Sequence, residues 1–200
     1  IGGMIMELME KMSVFEEIKA HVAAGKNINE FSNDAAVLYI FLDEYYRCSP
    51  CDCDDAENLS NREPSMPLVD RPSGILAKLE WLFAHGADVN AGGEWLPLMQ
   101  AVGNLDVAMT AYLLDHGADP HYAGEDDGIP YGCGNYYIDD LDIALLDESF
   151  VSDPDKSVFD RVLQIAVLFA KHGVTDVHTH CISIDSKTRT IHISKAKVVW

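Results

Sequence analysis

The sequence predicts an all-α fold: a helical solenoid of about four helix-turn-helix repeats, closed by a C-terminal β-hairpin. Three observations carry this. The stretch His85-Gly86-Ala87-Asp88-Val89-Asn90 returns almost unchanged as His116-Gly117-Ala118-Asp119-Pro120-His121, and self-similarity at a fixed separation marks a repeat architecture. Each copy follows an apolar run, Leu79, Leu82 and Phe83 before the first and Met109, Leu113 and Leu114 before the second. Apolar residues three and four apart make one buried helix face. Finally, Cys181-Ile182-Ser183-Ile184 and Thr190-Ile191-His192-Ile193 change to the period-two alternation of a hairpin.

The elements follow in order. Met4 to Glu10 reads as a short helix. Ser13-Val14-Phe15-Glu16 is a capping box, in which the serine oxygen accepts a first-turn N–H and the glutamate reaches back. The helix it opens carries Val14, Phe15, Ile18 and Val22 and stops at Ala24-Gly25. A second helix starts near Asn33-Asp34, both good N-caps, and places Ala35, Ala36, Leu38, Tyr39, Leu42 and Tyr46 on one broad apolar side. Residues 47–71 are polar and broken by Pro50, Pro64 and Pro67, which reads as a long surface insertion. Helix resumes at Ser73 and runs to Gly86.

Pro97 suits the first turn of the next helix, with Leu98, Ala101 and Val102 facing inward. Gly103-Asn104-Leu105-Asp106 is a turn whose aspartate caps the helix running to His116. A second insertion, 121–137, is rich in Gly, Asp and Tyr, and Leu141-Asp142-Ile143-Ala144 begins the helix after it. Ser152 to Asp155 breaks that helix, and Val158, Val162, Leu163, Ile165, Ala166 and Phe169 form the last, which stops at His172-Gly173. The repeat domain thus spans 4–178, in units of about 4–31, 32–91, 92–123 and 124–178, and 179–200 form a hairpin cap. The cap covers the last helix pair, since the end of a stack otherwise exposes an apolar face.

Paired helices followed by a Gly-Ala-Asp-Val-Asn loop, at a period near 33 residues, resemble the ankyrin repeat. The third unit carries the likeness best. Pro97-Leu98 and Ala101 stand at the family's Pro-Leu-His-x-Ala-Ala helix start, and Leu113-Leu114-Asp115-His116-Gly117-Ala118-Asp119 at its Leu-Leu-x-x-Gly-Ala-Asp. Leu141-Asp142-Ile143-Ala144 is similar to a common variant of the helix start. Leu96 and Met99 replace the family's capping threonine and its histidine, so the usual hydrogen bonds at that helix start are absent. The resemblance implies a scaffold that binds proteins through its loop tips and concave face and has no catalytic residues of its own.

Charge narrows the partners. The 200 residues hold 33 acids against 14 Lys+Arg, a formal net charge of −19. From Ser186 onward, however, there are four bases (Lys187, Arg189, Lys195, Lys197) and no acid. So negative a chain repels nucleic acid and anionic lipid; it either favours a basic protein partner or serves only to keep the protein in solution. No apolar run approaches the roughly 18 residues of a membrane span. The absence of a signal-like N-terminal segment, and five cysteines in no disulfide framework, lead us to expect a cytoplasmic protein.

The binding candidates are Trp95, Tyr122, Tyr131 and Tyr136, with Tyr137 beside them, among the acids Glu94, Glu125, Asp126 and Asp127. Aromatic residues anchor interfaces, and neighbouring acids select a basic patch; the tyrosines could equally pack the insertion onto the scaffold.

Cys48, Cys51 and Cys53 could begin a zinc site, but no fourth ligand is evident. His178-Thr179-His180-Cys181 is a second short cluster without a further ligand nearby. Asp126-Asp127-Gly128 and Asp139-Asp140 with Asp142 lack calcium-loop spacing, and helix capping accounts for the latter. His85, His116 and His172 precede the stop glycines, where a hydrogen-bonding side chain helps a helix C-terminus.

The expectation is therefore a non-catalytic, cofactor-free protein-binding scaffold. The alternatives are an acidic inhibitor or immunity-type protein that blocks a basic toxin or nuclease, and a metal-binding protein using the Cys48/Cys51/Cys53 loop.

Overall fold

Helices pair across two layers in a computed structural model of the protein, which describes residues 13–32, 36–47, 66–91, 95–121, 125–126, 129–130, 135–146, 157–193 and 196–199. Seven α-helices lie among these residues: α1 Val14–Ala23, α2 Val37–Arg47, α3 Ile75–Ala84, α4 Pro97–Gly103, α5 Val107–Asp115, α6 Tyr136–Leu146 and α7 Ser157–Lys171. The expected helix at Met4–Glu10, the start at Asn33-Asp34 and the break at Ser152–Asp155 fall outside them.

Helices α2, α4 and α6 pack side by side as an inner layer. The outer layer is α1, α3, α5 and α7. Phe15 of α1 meets Trp81 of α3 edge-on, with ring centroids 5.6 Å apart, and Phe83 of α3 stacks on His116 just past α5 at 4.5 Å. Contacts between α1 and α2, α4 and α5, and α6 and α7 join the layers. The core lies between them: Ile18, Leu38, Leu42, Leu79, Leu98, Met109 and Leu113 are all fully buried.

The repeated sequence becomes a repeated hydrogen-bond pattern. Outer helices end with Gly25, Gly86, Gly117 and Gly173 at φ of +76, +86, +87 and +95°. In each case the glycine N–H and the next N–H return to the last turn, as Gly117 does to the Leu114 carbonyl and Ala118 to that of Leu113, both at 3.0 Å. This double return requires the left-handed conformation that glycine reaches without a Cβ clash. The loop beyond it tightens around an Asx turn: Asn27, Asp88 and Asp119 accept the N–H two residues on at 3.1, 2.9 and 2.8 Å.

Asparagines then link neighbouring loops. Asn29 donates to the Gly86 carbonyl and accepts the Asp88 N–H, both at 2.9 Å. One unit on, Asn90 does the same to Gly117 and Asp119, both at 2.8 Å.

The turn from α4 to α5 departs from that economy. Leu105 sits at φ +50° where glycine would be unstrained, and it is held there because its side chain is buried. Asp106 caps α5 as expected, accepting the Met109 N–H at 3.0 Å. Leu96, by contrast, gives α4 no side-chain cap; its N–H meets the Met99 sulfur at 3.5 Å.

Five expectations are corrected. The helix expected at Ser73 starts at Ile75, because Gly74 at φ +63° breaks the path before it. The stretch 66–71 is not wholly a polar surface loop: a 3-10 turn, Leu68–Asp70, buries Leu68, and Arg71 is only 3% exposed. Helix α6 begins at Tyr136, not Leu141, since Asn135 caps it by accepting the Ile138 N–H at 3.2 Å. Tyr137 therefore lies in the core, stacked on Phe169 at 5.5 Å, and not at a loop tip. Finally, the C-terminal hairpin is the middle of a four-stranded antiparallel sheet.

In that sheet β4 (Ile182–Asp185) pairs with β5 (Thr190–Ile193) as the expected hairpin, Ile184 opposite Ile191, and β3 (Val177–His178) and β6 (Ala196–Val199) add the edges. The chain is thus mostly helical with a small C-terminal sheet, and a further two-residue pair, β1 (Glu125–Asp126) with β2 (Ile129–Pro130), stands within the second insertion. Ile182, Ile184, Ile191 and Ile193 form the buried side of the sheet, and β5 packs on α7.

Candidate functional site

Three groupings of side chains stand out: an aromatic pair at the surface, a charged network in the interior and a polar junction under the sheet.

Trp95 precedes α4 and is 48% exposed. Its ring lies 5.5 Å from that of Tyr39 on α2, tilted by 51°. One turn along α2 from Tyr39, on the same side of the helix, Asp43 accepts a hydrogen bond at 3.2 Å from Gln100 of α4. Aromatic surface, a carboxylate and an amide thus meet where α2 and α4 adjoin. On the other side of α4, Asp140 of α6 faces Gly103, whose added Cβ would lie 3.5 Å from Asp140 Oδ2. Burial raises the Asp140 carboxyl above the usual aspartate range.

Charge is distributed unevenly between the layers. The outer helices carry five acids and four bases, whereas the inner helices carry five acids and a single base, Arg47, at the very end of α2. Besides Asp43, Glu44 and Asp142 among those inner acids also accept hydrogen bonds within the fold. Both Glu44 carboxylate oxygens accept the Val14 N–H at 3.0 Å. Asp142 accepts from the Thr179 hydroxyl and, at 2.6 Å, from the Cys181 N–H.

The interior network centres on Arg71 and Asp106, both side chains fully buried. The guanidinium binds the carboxylate through two parallel bonds, Nη1 to Oδ2 at 2.6 Å and Nη2 to Oδ1 at 2.7 Å, the fork geometry that arginine offers and lysine does not. Arg71 also donates to the Tyr45 hydroxyl and twice to the Met66 carbonyl. Asp106 accepts in addition from the Tyr46 hydroxyl at 2.9 Å and the Met109 N–H. Burial disfavours the Arg71 cation, but the bonds to Asp106 and its charge outweigh that and raise the guanidinium above its ordinary value. Burial first, then the Asp106 charge, holds the Tyr46 phenol neutral well past its ordinary range. Every strong donor and acceptor here is engaged within the fold, so the network is a structural tie between the end of α2, the segment before α3 and the start of α5.

The junction under the sheet takes up the His178-Thr179-His180-Cys181 cluster. Thr179 and Cys181 bind Asp142, while His178 Nδ1 lies 2.8 Å from the Ser183 hydroxyl. Asp142 therefore anchors the β3–β4 turn to α6 instead of capping a helix. Among the described residues no three His, Cys, Asp or Glu side chains are placed to hold one metal ion. His85 and His116 behave as expected at their helix ends: Nδ1–H donates to the Trp81 carbonyl at 2.7 Å and to that of Tyr112 at 2.8 Å.

Of the binding candidates read from the sequence, Trp95 is placed at the surface, Glu125 and Asp126 form β1, and Tyr136 opens α6. Glu94, Tyr122, Asp127 and Tyr131 lie outside the described residues, as do Cys48, Cys51 and Cys53. Sequence reasoning missed Tyr39, Asp43 and Gln100 as neighbours of Trp95. The four-residue spacing of Tyr39 and Asp43 was the available signal, but nothing local pairs them with α4. No protein-family model, curated protein or solved structure matches this chain.

Proposed function

We propose that the protein is a non-catalytic protein-binding scaffold, built as an ankyrin-like solenoid and binding through its inner helices and loop tips. The observation that carries the reading is the exposed Trp95 paired with Tyr39 where α2 adjoins α4. Tryptophan is highly buried on average, and tryptophan and tyrosine are enriched among the residues that anchor interfaces. The recurring Gly-Asx loops, each tied to the next by Asn29 or Asn90, support the repeat assignment.

The experiment is affinity capture from the native source with the parent protein and Trp95→Ala, at low and high salt. A discrete partner retained by the parent, and lost by the variant or at high salt, is expected. Identical capture by both proteins would overturn the reading. The surplus of acids on the inner layer favours a second, narrower version: an acidic inhibitor that blocks a basic enzyme such as a toxin or nuclease. That version requires the captured partner to lose activity when the protein is added.

A further inference from the structure

Resting on that scaffold reading, we infer that the inner layer takes an arginine-bearing, basic segment of its partner, with a guanidinium seated against Tyr39 and Trp95 beside the Asp43 carboxylate. Three features lead there. The first is the open aromatic pair, with centroids 5.5 Å apart and Trp95 half exposed. A ring face attracts a cation through its quadrupole, and the flat guanidinium can stack on it while still donating hydrogen bonds at its edge.

The second is Asp43, one helical turn from Tyr39 and held in place by Gln100. A carboxylate fixed in orientation accepts a guanidinium with less loss of side-chain freedom than a mobile one. The third is the sidedness of the charge. The outer helices are nearly balanced, while the inner ones are acidic with one terminal base.

The probe is octa-arginine, compared with octa-lysine, measured by isothermal titration at physiological salt. The proteins are the parent, Trp95→Ala, Asp43→Asn and, as a control on the outer layer, Glu80→Gln. Octa-arginine is expected to bind the parent, to bind Trp95→Ala and Asp43→Asn about tenfold more weakly, and to bind Glu80→Gln unchanged. Octa-lysine is expected to bind the parent more weakly than octa-arginine does. No binding, equal binding of the two peptides, undiminished binding by Trp95→Ala, or equal loss in Asp43→Asn and Glu80→Gln overturns the inference, the last because it reports net charge alone. Circular dichroism of each variant distinguishes a lost site from a lost fold. If capture from the native source depends on Trp95 while octa-arginine fails, the scaffold reading stands and only the arginine assignment falls.

Discussion

At the scale of single residues, the chain's least replaceable contact is the fork between Arg71 and Asp106. Breaking a buried ion pair from one side strands the other charge, which typically destabilises by about 3–5 kcal/mol. Arg71→Met is expected to show a loss of that size in urea unfolding. A loss under about 1 kcal/mol, the range of an exposed pair, would mean that Asp106 is reached by water. Asp140 makes the opposite prediction. Its folded pKa is raised by burial, so the protein is fully stable on its account only below the ordinary aspartate value near 4, and it loses stability as pH rises through the raised value. Asp140→Asn is therefore expected to melt a few degrees above the parent at pH 7, with the difference closing toward pH 4. A difference independent of pH would remove titration as its cause.

At the scale of elements, what the sequence discloses depends on how far apart the cooperating residues lie. The stop glycines, the Asp106 cap and the β4–β5 hairpin are local: each is settled within a few residues by φ or by period, and each was readable. The Arg71 fork was not, because its partner is 35 positions away in a different helix pair and Arg71 sits in a stretch whose prolines and polarity read as loop. Helix α6 was misplaced for a related reason. Its first turn is Tyr136-Tyr137-Ile138-Asp139, aromatic and acidic in the manner of the insertion before it, and only the fully buried Tyr137 shows that the helix has begun. Strand β3 spans two residues, too few to show any period. The Asn rungs between loops are elements of the same kind, legible as repeats but not as bonds. Asn90→Ala removes the bonds to Gly117 and Asp119, and since both are exposed the expected cost is about 1 kcal/mol. Hydrogen exchange at the Asp119 amide should quicken in that variant; protection there equal to the parent's would mean that the rung does not hold the loop.

At the scale of the whole molecule, the two layers and the sheet form one continuous core: Ile18 near one end and Ile191 at the other belong to the same buried cluster. The sheet closes the α7 end with four isoleucines, so deleting residues 177–200 is expected to lower the melting temperature and bring on dye binding by exposed apolar surface. Unchanged melting without dye binding would show that the helices stand without the sheet. None of the described helices is long and apolar enough to cross a membrane. The interior fork has a mechanical consequence as well. It joins the end of α2, the segment before α3 and the start of α5, and so welds two neighbouring helix pairs at their shared boundary. Stretched between its ends, such a chain would shed its outer pairs one by one. Its middle would then give way in a single larger step, because there the pairs cannot part without tearing a bare charge into the open.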